Sequence, residues 1–251
     1  MTGKVYLVGS GPGGSGLLSQ RAREVIDAAD VILYDQLPGD EILATLPERA
    51  EKIDCGKFGG KHTREQHDIE ALMVEYAKQG KTVVRLKGGD PFLFGRGGEE
   101  LETVRSAGIA VEMVPGISSA LAVPASVGIP LTHRNYASQV TIITGHEDPS
   151  KGESALDWQL LGKSHGTIVI VMGVANLPLI AETLIRNGRR PGTPVAIIER
   201  GLRKDRRVTT GPLGSIAAVA HEAKVRPPAV IVIGDVVNLY DPNAPDLIPV
   251  E

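Results

Sequence analysis

Two glycine-rich segments carry the residue types from which a ligand site could be built. GSGPGG, Gly9 to Gly14, directly follows a short apolar run and opens a helical pattern. Gly9, Gly11 and Gly14 satisfy GxGxxG, and Asp35 follows the next apolar run, 21 residues after Gly14, where an acid that binds a ribose would sit. On spacing alone, a dinucleotide site and a ligand-free strand-to-helix turn that needs positive φ are both open. Pro12 counts against a pyrophosphate cradle, because it removes one backbone N–H. The second segment, VRLKGGDPFLFGRGGEE from Val84 to Glu100, runs from apolar residues into Gly88-Gly89-Asp90-Pro91 and on through Gly95, Gly97 and Gly98. It sets a glycine-lined backbone and one carboxylate at the carboxyl edge of a sheet, where α/β proteins bind ligands. The alternative is a long surface loop with solvated charges.

Other chemistries find no template. GGSGL around Ser15 lacks the last glycine of a nucleophile elbow, and Glu75 stands where a phosphate-binding loop ending in Gly80-Lys81-Thr82 would need glycine. Cys55, the single cysteine, excludes an internal disulfide framework and reads as a small buried apolar side chain. The 6 histidines form no cluster at zinc spacing, so no metal is expected. RKDRR, Arg203 to Arg207, reads as a solvated loop. With 27 basic and 30 acidic residues the net charge is −3, which gives no overall field for nucleic acid or an anionic membrane. MTGKVYLVGS lacks the pattern of a secretion signal, and there is no run of about 18 apolar residues, so a soluble cytoplasmic protein is expected.

The elements that must position these residues are legible as apolar periodicity. Short β-branched runs recur at Lys4 to Val8, Val31 to Leu33, Thr82 to Leu86, Val140 to Thr144, Thr167 to Val171, Pro194 to Ile198 and Ala229 to Ile233. Apolar on successive residues, they predict strands buried on both faces, as in a parallel sheet. Helical stripes lie between them: Leu18, Ala22, Val25, Ile26 and Ala29; Ile69, Leu72, Met73 and Tyr76; and Leu177, Ile180 and Leu184. Thr63 to Gln66 reads as a capping box for the second stripe, with Gly80 as its stop. From Pro115 to Arg134, prolines and glycines break a small-residue segment into something neither cleanly helix nor strand. The expected organisation is an N-terminal α/β domain at 1–115, a connecting segment at 116–136 and a C-terminal α/β domain at 137–251. Largely parallel sheets are expected, with a cleft between the domains as the default ligand site.

In combination, these segments resemble one family, the uroporphyrinogen-III C-methyltransferases of the tetrapyrrole methylase fold, which use S-adenosyl-L-methionine. The resemblance runs through VYLVGSGPGGSGLL, ADVILYDQL, Gly56-Lys57, VRLKGGDPFLFGRGGEE, VPGISSA, GIPLTHR, TGH, VMG and TPVAIIERG, nearly the whole chain in order. It implies that the two glycine segments border a cleft for the methyl donor and not for a dinucleotide. The implied reaction methylates carbons C2 and C7 of uroporphyrinogen III to give precorrin-2, which feeds sirohaem or cobalamin-type cofactors. The resemblance puts Pro12, Gly88, Gly89, Asp90, Leu93, Ser118, Ser119, Met172 and Gly201 at the donor, with Pro228 and Ala229 beside its adenine. Asp35 matches the family's proposed proton acceptor, or else orients a pyrrole N–H. Lys57 matches its proposed proton donor, or else anchors a substrate carboxylate. Arg85, Lys87, Arg96, His133 and Arg134 are further expected anchors for the polycarboxylate substrate.

A homodimer is implied as well, and neither nucleic acid nor membrane is an expected partner. This sequence departs from the family pattern at Gly14, often aspartate; at Gln36 and Phe58, usually arginine; at Cys55, commonly valine; and at Ser118, commonly threonine. No dehydrogenase or ferrochelatase extension is present, so a single-function form is expected. Competing readings are a methylase of a later precorrin, an NAD-dependent oxidoreductase built on Gly9, Gly11, Gly14 and Asp35, and a non-catalytic binding module.

Overall fold

The computed structural model describes residues 2–58, 61–62, 65–147 and 153–248, with backbone only at 57–58 and 61–62. The chain divides into two compact units, Met1–Ser119 and Ala120–Glu251.

The first unit contains β1 (Lys4–Gly9), α1 (Gln20–Asp27), β2 (Val31–Tyr34), α2 (Asp40–Ala44), β3 (Glu51–Asp54), the short antiparallel pair β4 (Lys57–Phe58) and β5 (Lys61–His62), α3 (Gln66–Lys78), β6 (Thr82–Lys87), α4 (Gly97–Ser106) and β7 (Ala110–Val114). Its main sheet has the order β3-β2-β6-β1-β7, and every pairing is parallel. Alternate residues serve opposite faces. Val5, Leu7, Val31, Leu33 and Val83 pack with Ile69, Met73 and Val104 of α3 and α4, whereas Val8, Ile32, Val84 and Leu86 pack with Ala22, Val25, Ile26 and Ile42 of α1 and α2. Helices on both faces explain why the strands read as unbroken apolar runs.

Helix α3 begins at Glu65, whose side chain forms a reciprocal capping box with Asp68, and not at the expected Thr63; Thr63 and Arg64 lie outside the described residues. Ile69, Met73 and Ala77 form its buried stripe, and Gly80, at φ +84°, ends it as expected.

The second unit contains α5 (Ser119–Ser126, starting at the unit boundary), β8 (Val140–Thr144), α6 (Trp158–Lys163), β9 (Thr167–Val171), α7 (Leu177–Arg186), β10 (Pro194–Glu199), β11 (Arg207–Pro212), α8 (Ile216–Glu222) and β12 (Ala229–Ile233). Its sheet, β11-β10-β12-β9-β8, corrects the expectation of largely parallel strands. Only β8 and β9 are parallel; β9 with β12, β12 with β10 and β10 with β11 are antiparallel. Burial on both faces makes a strand apolar without fixing its direction. The seven residues linking β10 to β11 are too few for the parallel crossover of about a dozen residues or more. Helix α5 also falls within the segment expected to be irregular, burying Ala120, Ala122, Val123, Pro124 and Ser126.

Candidate functional site

The ends of β1, β6 and β7, adjacent in the sheet, meet main chain against main chain. Ser10 N–H donates to the Lys87 carbonyl at 2.8 Å, and Gly11 and Gly89 exchange N–H···O bonds of 2.7 and 3.2 Å. A Cβ on Gly9 would lie 2.5 Å from Gly116 N and 2.6 Å from Gly89 O, so no side chain fits there. Gly89 also holds φ at +67°, a left-handed conformation costly for other residues. Asp90 closes the junction, its carboxylate accepting the Phe92 N–H at 2.8 Å and the Gly116 N–H at 3.1 Å. A Cβ on Gly88 would overlap Leu37, from the loop after β2, and one on Gly89 would lie 3.8 Å from Ser119 N and 3.9 Å from Ser118 Cα. Of the residues expected at the donor, Gly88, Gly89, Asp90, Ser118 and Ser119 therefore meet at this edge. Leu93 joins through its N–H to the Asp90 carbonyl (3.4 Å), and Pro12 follows the Gly11 bridge.

Four residues missed in the sequence belong to the same loops. Leu37, Phe92, Phe94 and Ile117 are large apolar side chains exposed to solvent. Concentrated at the carboxyl ends of β2, β6 and β7, they form an apolar rim of the kind that marks a binding surface. The clue available in the sequence was the apolar content of PFLF inside a glycine-rich loop.

Asp35 stands directly after β2. Its Oδ1 accepts the Leu37 N–H at 2.9 Å, and its Oδ2 lies 3.8 Å from Arg85 Nη2. Arg85 and Lys87, expected as substrate anchors, turn inward instead. They alternate along β6 onto the face covered by α3 and α4, are 4% and 5% exposed, and both donate to Glu100 Oε1, at 3.1 and 2.9 Å. Burial, with Arg85 adding to it, pushes the Lys87 ammonium below the ordinary lysine range against the opposing pull of Glu100. Arg96 is exposed and bonded to Glu99. Gln36, at one of the departures from the family pattern, donates to Asp54 at 2.6 Å. Lys57 lies in β4, and its side chain, like that of Phe58, is outside the described residues. Cys55 is buried.

In the second unit, Met172, Gly201, Pro228 and Ala229 gather at one sheet edge, where β9 and β10 end and β12 begins. Met172 is half exposed at φ +55°. Gly201 lies between Arg200 and Leu202, both at positive φ, and a Cβ there would overlap Val123 of α5. The Arg200 N–H donates to the Pro228 carbonyl at 2.9 Å, tying the two segments together. The donor candidates thus fall into two sets, one on each unit. His133 and Ala137 exchange backbone bonds of 2.9 Å, and His133 Nδ1 accepts the Asn135 N–H at 3.2 Å. Its Nε2 is therefore the nitrogen that carries the proton of the neutral ring. Arg134, next to it, is exposed. RKDRR is laced into ion pairs: Arg206 with Asp246, Arg207 with Glu199, and Asp205 with Arg200.

Among the described residues, no group of three or more His, Cys, Asp or Glu could hold a metal ion, and no helix is long and apolar enough to cross a membrane. What this constellation can do is hold a small ligand against main chain, beside an apolar rim, with one ionisable carboxylate at the edge.

A family model described as Tetrapyrrole (Corrin/Porphyrin) Methylases matches residues 4–217. The chain is 59% identical, over 95% of its length and 94% of the relative's, to an S-adenosyl-L-methionine-dependent uroporphyrinogen III methyltransferase of Methanosarcina barkeri. It is 46% identical to siroheme synthase 1 of Cronobacter sakazakii, over 95% of this chain and 50% of that protein. A crystal structure of uroporphyrin-III C-methyltransferase from Thermus thermophilus, complexed with S-adenosyl homocysteine, matches with a TM-score of 0.81 and 38% identity, over 95% of this chain and 100% of that one.

Proposed function

The chain belongs to the tetrapyrrole methylases, and from that premise we propose that it methylates C2 and C7 of uroporphyrinogen III with S-adenosyl-L-methionine, giving precorrin-2 through precorrin-1. The observation that carries this reading is the glycine-only junction at Gly9, Gly89 and Gly116, closed by Asp90, within a chain so similar to a methyltransferase of that specificity. The fit is chemical: glycines let the strand ends pack main chain against main chain, so that no side chain stands between the donor and the sheet edge, and the apolar rim beside it suits a macrocycle.

When bound, the donor supplies a methyl group on a positively charged sulfur. What the chain contributes is position, which can supply about 7–11 kcal/mol when reacting atoms are held in line. Gly88, Gly89, Ser118, Ser119, Leu93 and Pro12 are the proposed donor contacts of the first unit, and Met172, Gly201, Pro228 and Ala229 those of the second. Asp35 accepts a pyrrole N–H, orienting the ring or removing its proton, and Lys57 serves as proton donor or carboxylate anchor. Arg96, His133 and Arg134 meet substrate carboxylates. Arg85 and Lys87 act from inside the fold and not by direct grip. Leu37, Phe92, Phe94 and Ile117 exclude water, which strengthens fixed dipoles at the developing charge.

The protein works as a cytoplasmic homodimer; light scattering checks the dimer. The deciding assay is transfer of labelled methyl from S-adenosylmethionine to uroporphyrinogen III, with precorrin-2 as the expected product. Tight NAD binding without S-adenosylhomocysteine binding would restore the oxidoreductase reading.

A further inference from the structure

One buried carboxylate has no part in that mechanism. Glu100, at the start of α4, is fully enclosed; its Oε1 accepts from Lys87 (2.9 Å), Arg85 (3.1 Å) and Gln66 (3.2 Å), while among the described residues its Oε2 has no hydrogen-bond partner. Three donors crowd one oxygen and leave the other bare, an arrangement that hydration would relieve at a surface but that persists here because α3 and α4 cover it. Arg85 is the shared member. Its Nε faces Glu100, its Nη1 donates to the carbonyls of Leu33 (3.4 Å) and Leu86 (3.3 Å), and its Nη2 stops 3.8 Å from Asp35 Oδ2. That last separation is within coulombic reach and beyond a hydrogen bond. The other charged groups around the cluster are already engaged: Glu70 of α3 by Gln66 and Thr103, and Glu99 by Arg96. Two buried cations and two carboxylates therefore form a chain in which Glu100, inside, and Asp35, at the edge, compete for one guanidinium.

We propose that Glu100 is a positioning residue for Asp35: by holding Arg85 from the inside, it keeps the guanidinium one step short of Asp35 and leaves Oδ2 free for substrate. The proposal rests on the reading of Asp35 as the group that meets the tetrapyrrole.

Glu100→Gln tests it, because the amide keeps the shape and removes the charge. In the crystal structure of the variant, the distance from Arg85 Nη2 to Asp35 Oδ2 falls to hydrogen-bond length, about 3.2 Å or less. With the carboxylate occupied, kcat for methyl transfer falls by about 10²-fold, the effect of roughly 1 Å of misplacement, while KM for S-adenosylmethionine is unchanged. Glu100→Gln combined with Lys87→Gln removes one charge of each sign, still releases Arg85, and gives the same shortened distance and lowered kcat if the single variant does not fold. A folded variant whose Arg85–Asp35 distance and kcat match wild type overturns the proposal. Failure of the wild-type protein to methylate uroporphyrinogen III overturns the functional reading instead, and the distance still decides what Glu100 does.

Discussion

Asp90 satisfies two backbone N–H groups with its two carboxylate oxygens, a task that defines what can replace it. Asparagine has one acceptor oxygen, and its amide nitrogen would face an N–H. Each unmade bond to a part-buried N–H costs about 1–3 kcal/mol. Asp90→Asn and Asp90→Ala are therefore both expected to weaken S-adenosylhomocysteine binding by roughly tenfold or more, measured by titration calorimetry. Asp35 accepts only the N–H of its own turn and stands near the buried Arg85 and Lys87, so Asp35→Ala should leave donor affinity intact and lower kcat by about 10²–10⁴-fold in the methyl-transfer assay. That Gly88, Gly89 and Asp90 stand at the carboxyl edge of a sheet was legible from their order directly after an apolar run. Arg85 and Lys87 were misjudged for a physical reason. In sequence they are two cations at the end of a strand, and nothing local shows that Glu100 of α4 folds over them and withdraws them from the surface.

In the two five-stranded sheets, the strands that escaped the sequence reading follow one rule. Glu51–Asp54, Ala110–Val114 and Arg207–Pro212 are all edge strands, less fully covered and without an unbroken apolar run, whereas the central strands were read to within a residue or so. Edge strands need another restraint, and β11 has one. Arg207, directly opposite Glu199 in the antiparallel register, donates to both carboxylate oxygens, at 2.6 and 2.8 Å, and the Arg226 N–H adds a third bond. Burial by itself would raise the Glu199 carboxyl above the ordinary carboxylate range, but these bonds hold it below. A lowered folded-state value means that its contribution is complete above the unfolded carboxyl value of about 4.3 and is lost as pH falls through the folded value. Arg207→Ala removes the cation that faces the enclosed Glu199 carboxylate and should lower the melting temperature near neutral pH. In the variant, burial then raises the carboxyl, so protonation relieves the penalty. Thermal denaturation across acid pH should show the gap from wild type shrinking as pH falls.

At the scale of the whole molecule, the two units solve the same packing problem with opposite connectivity. The first surrounds an all-parallel sheet with helices on both faces, and the second closes its sheet largely with antiparallel neighbours. That contrast has a consequence for how the protein comes into being. β1, the first strand of its unit to be made, occupies the interior of its sheet, flanked by β6 and β7; Lys4 pairs with Thr82 and Ala110. It can acquire both neighbours only after Val114 has been added, so an apolar N-terminal strand waits exposed through most of the synthesis of its unit. By contrast, β10 and β11 are a local pair that can zip as soon as both exist. Long-range parallel pairing is slow and exposes apolar segments to aggregation. Pulse-labelling hydrogen exchange during refolding should show the β10–β11 amides protected before those of β1. Within its unit, the strand that anchors the glycine junction is thus made before both of its neighbours and secured only after the second of them.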